Sequence, residues 1–551
     1  MYGTKSPLPG QWGRAGLRQL QTGSAGDFGI SFTASPVGQC NKSNLKTHPL
    51  KYTYTIKINF RGGIISPGDL LNILIAAGKA GITEVRFGLR QQLLFDVVNE
   101  DYPLLQEQLQ QLDVQYEVDE DRYPNMVSSY PAEEVFINQT WLSEGVYKDI
   151  FDLVDYQPRL KINISDSNQS FTPLLTGNIN WVASAHAPHF WHLFIRFPRT
   201  NVIYEWTEMV YTNDVARLSK HIEALIFQQA GLFYDNAQAN GDELFRQIMQ
   251  ETYITKTATA PAKLPAFNLP YYEGLNKYHD KYWLGIYRRD ELFSISFLKD
   301  ICRLCLQTKI GQVCSTPWKS LIIKNIAEKD RHLWNNLLAR HQVNVRHAAN
   351  ELNFQVEDNC QEGLRLKRYL LKHLNNEDTR TFGICVGIKT RRKSEVFSSI
   401  LVRRRPLLTI AGIEMLFVYD ILCAQDFNPN ERTGFVFSSG NPRALLPEQL
   451  RRAILLYYRQ QLDSITAIEK AATPKKEMPA TKEQQVEVYQ CQHCLTIYDE
   501  SFGEPANHIP PGTAFAVLPA SYCCPLCEAE KSEFVQQVIS SAITHSTPPG
   551  Y

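Results

Sequence analysis

Two short cysteine pairs constrain this chain more than any other feature: Cys491-Gln-His-Cys494 and, after 29 intervening residues, Cys524-Pro-Leu-Cys527. A Cys-x-x-Cys hairpin turns back on itself and offers both sulfurs to one point. Two such hairpins place four thiolates at tetrahedral corners around a single ion. The site they predict is mononuclear and closed. Iron and zinc both accept four thiolates, so the ligand set alone leaves the metal open between them.

The residues around the pairs favour iron. Val488-Tyr-Gln-Cys-Gln-His-Cys-Leu-Thr-Ile-Tyr-Asp499, then Ile509-Pro-Pro-Gly-Thr-Ala-Phe-Ala-Val-Leu-Pro519, then Tyr522-Cys-Cys-Pro-Leu-Cys-Glu-Ala-Glu-Lys-Ser-Glu-Phe534 resembles a rubredoxin over residues 487–534. The resemblance extends beyond the cysteines to Tyr489, Tyr498, Pro511, Gly512, Phe515, Leu518, Pro519, Lys531 and Phe534. It implies one iron held by Cys491, Cys494, Cys524 and Cys527, moving one electron with no open coordination position. Leu495 and Glu528 replace the glycines that usually follow the second cysteine of each pair, where positive φ is commonly wanted, and this implies a shifted potential. His493, between two ligands, is read as shaping solvent access. A structural zinc site in an interaction protein is the bland alternative. The aromatic residues and the long spacing disfavour it.

The remaining chain is too long for one core, and 551 residues predict two to four domains. Lys plus Arg equals Asp plus Glu at 57 each, so nothing global points to nucleic acid or to an anionic membrane. The N-terminal residues lack the apolar core of a secretory signal. The longest apolar run, Leu70–Ala77, is far short of a membrane span, and a cytoplasmic location is expected. Twelve cysteines then read as metal ligands or buried small hydrophobes rather than disulfides.

Residues 1–50 read as an irregular N-terminal arm. Thr55–Phe60 alternates as a strand, Gly62-Gly63 ends it, and Ser66-Pro67-Gly68-Asp69 opens a helix with serine as cap. Glu84–Val98 reads as a second strand and Tyr102–Gln111 as a second helix. A similar unit returns 228 residues later: Val85–Leu94 lies over Val313–Ile322, and Leu70, Ile73, Leu74 and Ala77 lie over Leu298, Ile301, Cys302 and Cys305. Cys302 and Cys305 therefore read as buried helix positions rather than a redox pair.

The repeated unit carries a second resemblance. Asn59–Leu71 followed by Gly81–Gln91 is similar to the ferredoxin-like half domain of nitrite and sulfite reductases, and Thr316-Pro317-Trp318 fits its second copy. Arg86, Arg90 and Gln91 match that family's strand, while Gly88 and Leu89 replace its threonines. Arg159 and Lys161, in Pro158-Arg-Leu-Lys-Ile-Asn-Ile164, match the basic-x-basic pair that faces the reducible anion. The resemblance implies an α+β fold with duplicated reductase-like architecture, two ferredoxin-like half domains plus two mixed α/β modules, followed by a small rubredoxin fold. The expected boundaries are half domains at 51–125 and 271–356, modules at 126–270 and 357–466, a linker at 467–486, the rubredoxin domain at 487–536 and a tail at 537–551.

The family's 4Fe-4S cluster is not expected. Its Cys-x5-Cys and Cys-x3-Cys ligands are absent: Cys360 stands where the first would be, Leu366 lies six residues on, and Cys385 and Cys423 have no partner at the right spacing. Sirohaem is left open. Its eight carboxylates need concentrated basic groups, with Arg86, Arg90, Arg159 and Lys161 as the candidate anion or sirohaem residues. A second basic cluster comprises Lys389, Arg391, Arg392, Lys393, Arg403, Arg404 and Arg405. It reads first as a solvated face, and second as a dock for the acidic rubredoxin segment at the end of a linker whose reach is on the order of 25 Å. His186, His189 and His192 read as structural or surface residues because Pro188 breaks their helical spacing. The chain is thus expected to be an iron-binding electron carrier with redox partner proteins, an electron donor reductase and an acceptor such as an assimilatory reductase. The alternative is a sirohaem-containing nitrite or sulfite reductase that uses its rubredoxin in place of the cluster.

Overall fold

The computed structural model describes residues 52–137, 140–391, 396–410, 413–472, 485–504, 507 and 509–540. The expected arm, the middle of the expected linker and the residues beyond 540 lie outside these. The first half domain runs β1 (Thr53–Ile58), β2 (Ile64–Ile65), α1 (Pro67–Lys79), β3 (Glu84–Phe87), β4 (Leu93–Val98), α2 (Tyr102–Gln111) and β5 (Glu117–Val118). The Ser66 hydroxyl accepts the Asp69 N–H at 3.0 Å and Pro67 holds the first helical position, so α1 starts where the sequence signals it. Its apolar residues recur every three or four positions, and Leu70, Ile73, Leu74 and Ala77 are buried. Full burial of each leucine contributes about 1.5–3 kcal/mol.

The single strand read over Glu84–Val98 is in fact a hairpin. Gly88 N–H bonds the Gln92 carbonyl, Gln91 adopts φ +62°, and β3 pairs antiparallel with β4. What compensates the left-handed backbone is burial of the Gln91 amide. It donates to the Ser128 carbonyl at 3.0 Å and accepts the Ser128 N–H at 2.9 Å.

The first module follows, with β6 (Val127–Ser128), α3 (Glu144–Asp152), β7 (Ile162–Ser165), β8 (Ile179–Ala183), β9 (Phe190–Ile195), β10 (Tyr204–Glu205), β11 (Glu208–Tyr211), α4 (Val215–Gln228), α5 (Ala230–Phe233), α6 (Gly241–Ile248) and β12 (Thr255–Thr257). Strands β6, β7 and β8 are parallel, and β9 and β11 continue the sheet antiparallel.

The second half domain repeats the first: β13 (Gly274–Tyr278), β14 (Lys281–Ile286), β15 (Phe293–Ser294), α7 (Ile295–Gln307), β16 (Val313–Ser315), β17 (Leu321–Ile326) and α8 (Arg331–Arg340). At the offset of 228, β1 falls on β14, α1 on α7 and β4 on β17. The caps correspond as well, Ser294 accepting the Phe297 N–H at 3.3 Å. The halves interlock by exchanging their shortest strands, β2 pairing with β16 and β15 with β3. One core therefore serves both, with α1 and α7 side by side and Cys302 and Cys305 fully buried in it. Burial pushes the Cys302 thiol up to about 12 and the Cys305 thiol further in the same direction, as expected of packed thiols.

The second module has the plan of the first: α9 (Ala349–Leu352), β18 (Phe354–Val356), α10 (Gln361–Asn376), β19 (Val386–Lys389), β20 (Ile400–Ile410), β21 (Ile413–Ala424), β22 (Gly434–Asn441) and α11 (Leu446–Ala472), with β18, β19 and β20 parallel and β21 and β22 antiparallel. The C-terminal unit is a small sheet of β23 (Gln485–Cys491), β24 (Ile497–Tyr498) and β25 (Phe534–Ser540). The expected α+β architecture, duplicated and followed by a small rubredoxin-like region, is what the structure holds.

Candidate metal centre

Strand β23 delivers Cys491 at its last residue, and its pairing with β25 puts Phe534 opposite. Beneath the cysteines Tyr489 stacks on Phe515 at 4.2 Å, with Tyr498, Tyr522 and Phe534 around Phe515. Lys531 closes this cluster by donating to the Leu518 carbonyl at 2.6 Å and the Ala516 carbonyl at 3.2 Å. Tyr489, Tyr498, Phe515, Lys531 and Phe534 are positions the sequence singled out; Tyr522 joins them in the structure.

The two cysteine hairpins are built alike. Cys491 N–H bonds the Thr496 carbonyl and Leu495 N–H the Cys491 carbonyl; Cys524 N–H bonds the Ala529 carbonyl and Glu528 N–H the Cys524 carbonyl. Each turn needs a left-handed residue, and Leu495 at φ +62° and Glu528 at φ +60° supply it at the positions where glycine was expected. An L-residue there costs roughly 1–2 kcal/mol relative to right-handed backbone.

The hairpins bring Cys491 Sγ to 3.6 Å from Cys527 Sγ and Cys494 Sγ to 3.4 Å from Cys524 Sγ, and all four sulfurs lie within 4.8 Å of one another. Metal–sulfur bonds of about 2.3 Å in a tetrahedron require sulfurs roughly 3.8 Å apart. The quartet therefore fits one tetrahedral ion. Cys491 and Cys524 are buried, Cys494 is half-buried and Cys527 is exposed, so one edge of the tetrahedron faces outward. Thr496, which the sequence reading passed over, places its hydroxyl 3.0 Å from Cys494 Sγ. That hydroxyl first, and the Thr496 amide second, hold the Cys494 thiol down at about 6. At the equivalent place Ala529 offers Cys527 an amide only. His493 Nε2 lies 3.4 Å from Glu533.

The four candidate anion residues do not form one site, although Arg90 and Lys161 act on a common carboxylate. Arg86 pairs with Asp96. Arg90 is buried, donating to the Asn125 carbonyl at 2.7 Å and the Ile162 carbonyl at 3.1 Å. The Arg159 guanidinium lies 3.9 Å from the centre of the Phe227 ring, and its peptide N–H bonds Glu223. Lys161 leads into β7, and with Arg90 it acts on Asp121. Burial alone would raise that carboxyl, yet Lys57, Lys161 and Arg90 hold it below its ordinary value. Only Arg90 reaches a cavity of about 500 Å³ between the modules, whose described lining also includes Arg196, Lys389 and Arg432 and no carboxylate. Leu89 and Pro317, 228 residues apart, both line it, so it sits on the internal pseudo-two-fold. No sequence signal marks Arg196 or Arg432, since the duplication brings them together only in three dimensions.

The second basic cluster is divided by strand alternation. Arg403 and Arg405 both bind Asp420 on one face, and Arg404 pairs with Glu362 on the other. Arg391 donates to the Asp358 and Asn359 carbonyls, while Arg392 and Lys393 lie outside the described residues. His189 packs against Trp141 and Tyr211 at φ +64°, and His192 is buried on β9.

A 4Fe-4S cluster does not fit the second module. Cys360 caps α10 by accepting the Gly363 N–H at 3.3 Å, Cys385 lies beside Ser399, and burial pushes the Cys385 and Cys423 thiols up to about 12. Among the described residues only the C-terminal quartet forms a group of metal ligands.

A rubredoxin family model matches residues 488–534. The rubredoxin of Azotobacter vinelandii is 44% identical over 48 residues, 9% of this chain and 67% of that protein; Rubredoxin-2 of Chlorobaculum tepidum is 43% identical over 51 residues, 9% of this chain and 98% of that protein. Among solved structures, the Mycobacterium tuberculosis NirA protein superposes with a TM-score of 0.55 at 13% identity, covering 73% of this chain and 80% of that one. The larger part of the chain thus shares the NirA fold, and through its C-terminal segment the chain belongs to the rubredoxin family.

Proposed function

We propose that this chain is an iron-binding one-electron carrier: a rubredoxin joined to a nitrite/sulfite reductase-like body, delivering electrons in nitrite or sulfite assimilation. The observation that carries this reading is the sulfur quartet with tetrahedral spacing inside a rubredoxin segment. Iron held by four thiolates supplies a ferric/ferrous couple that keeps all its ligands in both states. The chain's own residues do the rest. Cys491 and Cys524 shield one side, and the outward edge at Cys494 and Cys527 is flanked by exposed Leu495 and Leu526, an apolar contact for a redox partner. Six carboxylates against one lysine over residues 488–534 steer that contact towards a basic surface and make it weaken with salt. The partners are a donor reductase and an acceptor such as an assimilatory reductase. The NirA-like fold supports a relationship with the nitrite/sulfite reductases, and the scattered Cys360, Cys385 and Cys423 favour a body without its own cluster. No described helix is long and apolar enough to cross a membrane, and thiol ligation suits a cytoplasmic setting.

The four cations around the 500 Å³ cavity favour one second reading, in which the body binds a polycarboxylate such as sirohaem and the rubredoxin serves as its donor. An absorption spectrum with metal analysis separates the two. One iron per chain, a red colour bleached by dithionite and no Soret band support the carrier; a Soret band with further iron supports the reductase. A colourless protein with one zinc refutes both.

A further inference from the structure

Where α10 crosses the β20–β21 hairpin, a second, smaller cavity of about 210 Å³ opens. Glu362 and Arg365 reach it from α10, Thr390 from the end of β19, Arg404 from β20, Tyr419 from β21 and Arg443 from the turn before α11. Arg404 and Tyr419 are cross-strand partners, so both side chains leave the sheet on the same face. Asp420 leaves on the opposite face and neutralises Arg403 and Arg405 there, while Glu357, behind the lining, accepts the Thr390 hydroxyl at 2.6 Å and the Thr390 N–H at 2.9 Å.

Two of the three guanidiniums are held against aromatic rings. Arg404 lies 4.0 Å from the centre of Phe417, and Arg443 lies 4.9 Å from that of Tyr369. Such stacking orients a guanidinium without neutralising it, and it leaves the in-plane N–H donors directed past the ring edge. Three guanidiniums against the single Glu362 carboxylate leave the lining with a net charge of +2 (3 − 1). A concave site of one sign concentrates counter-ions. Size then narrows the ligand. The cavity has room for about seven waters at roughly 30 Å³ each, below the roughly 300–1,000 Å³ of sites for drug-sized ligands.

We propose that this cavity binds a dianionic tetrahedral oxyanion, sulfate or hydrogen phosphate, either free or as the terminal phosphoryl group of a larger molecule. Arg365, Arg404 and Arg443 neutralise its charge, and the Tyr419 hydroxyl bonds one of its remaining oxygens. Glu362 competes with the anion for Arg404. The inference does not depend on what the rubredoxin centre or the large cavity does.

The test is calorimetric titration of the iron-loaded full chain with sodium sulfate, and separately with inorganic phosphate, at ionic strength held constant with sodium chloride. Saturable one-to-one binding is expected. Arg365→Gln and Arg443→Gln, both at exposed positions, should each weaken it about tenfold, the loss expected of a charge-assisted hydrogen bond. Glu362→Gln should tighten it several-fold, an effect that misfolding does not imitate. Arg368→Gln, on the same helix but paired with Asp290, should leave it unchanged. Displacement of sulfate by phenyl phosphate assigns the site to a terminal phosphoryl group, and failure to displace assigns it to the free ion; either supports the pocket. Absence of saturable binding for both anions, or binding insensitive to the Arg365, Arg443 and Glu362 variants, overturns the proposal.

Discussion

Replacing Thr496 with valine isolates one hydrogen bond at the metal centre. The hydroxyl lies 3.0 Å from Cys494 Sγ, whereas Cys527, its counterpart in the other hairpin, faces Ala529 and has no such donor. Hydrogen bonds to charged groups are worth about 1.5–3 kcal/mol. Reduction adds one negative charge shared over four sulfurs, so only about a quarter to a third of that value distinguishes ferrous from ferric, roughly 0.5–1 kcal/mol. For a one-electron couple 59 mV corresponds to about 1.4 kcal/mol, which gives about 20–40 mV. The hydroxyl favours the more negative, reduced state, so its removal lowers the potential. Redox titration followed through the visible charge-transfer absorption should show Thr496→Val lower by that amount and Thr496→Ser close to wild type. A Thr496→Val protein within a few millivolts of wild type would refute the reasoning, as would a Thr496→Ser protein that falls equally far.

Three further outcomes are expected. Leu495→Gly and Glu528→Gly relieve left-handed backbone at a gain of about 0.5–1 kcal/mol each after glycine's own entropic cost; the guanidinium midpoint for loss of the charge-transfer band should rise, and a fall would contradict the strain. Lys367 is buried, and that burial lowers its ammonium from 10.5 to about 8. Below pH 8 folded and unfolded forms are both cationic and the burial penalty, about 3 kcal/mol, is fully present; between pH 8 and 10.5 the native state sheds the proton first and gains stability. The melting temperature of Lys367→Met should therefore exceed that of wild type most at pH 7, and the gap should close by pH 10; a pH-independent gap would contradict this. Alkylation of the native protein with peptide mapping should label exposed Cys523 while sparing Cys302, Cys305, Cys314 and Cys385, which are buried; labelling of the Cys302–Cys305 pair would reopen its reading as a redox dithiol.

The convergence of the four cysteine sulfurs was legible because it is local: two hairpins carry all four, and the aromatic residues beneath them stand within the same few dozen residues. Helix α1 was legible for the same reason, since Ser66 caps it and Pro67 opens it, and α7 was legible from the apolar positions it shares with α1 at the offset of 228. The hairpin at Gly88–Gln92 was hidden. No proline or Asn-Gly marks it, and the left-handed Gln91 is held by Ser128, a residue of the next module. The strand exchange between half domains was hidden too, because β2 and β15 have two residues each and pair only across the interface. The run Arg403-Arg404-Arg405 read as one basic patch, but alternation sends its members to opposite faces, and Asp420, 15 residues beyond Arg405, neutralises two of them.

As proposed above, the Cys491–Cys527 quartet is a one-electron iron centre and the chain's working redox site. Coulometric titration of the iron-loaded full chain tests it most directly. The expected result is uptake of one electron per chain, reversibly, with the iron still bound after cycling. Uptake of no electrons, or of more than one at distinct potentials, would contradict it.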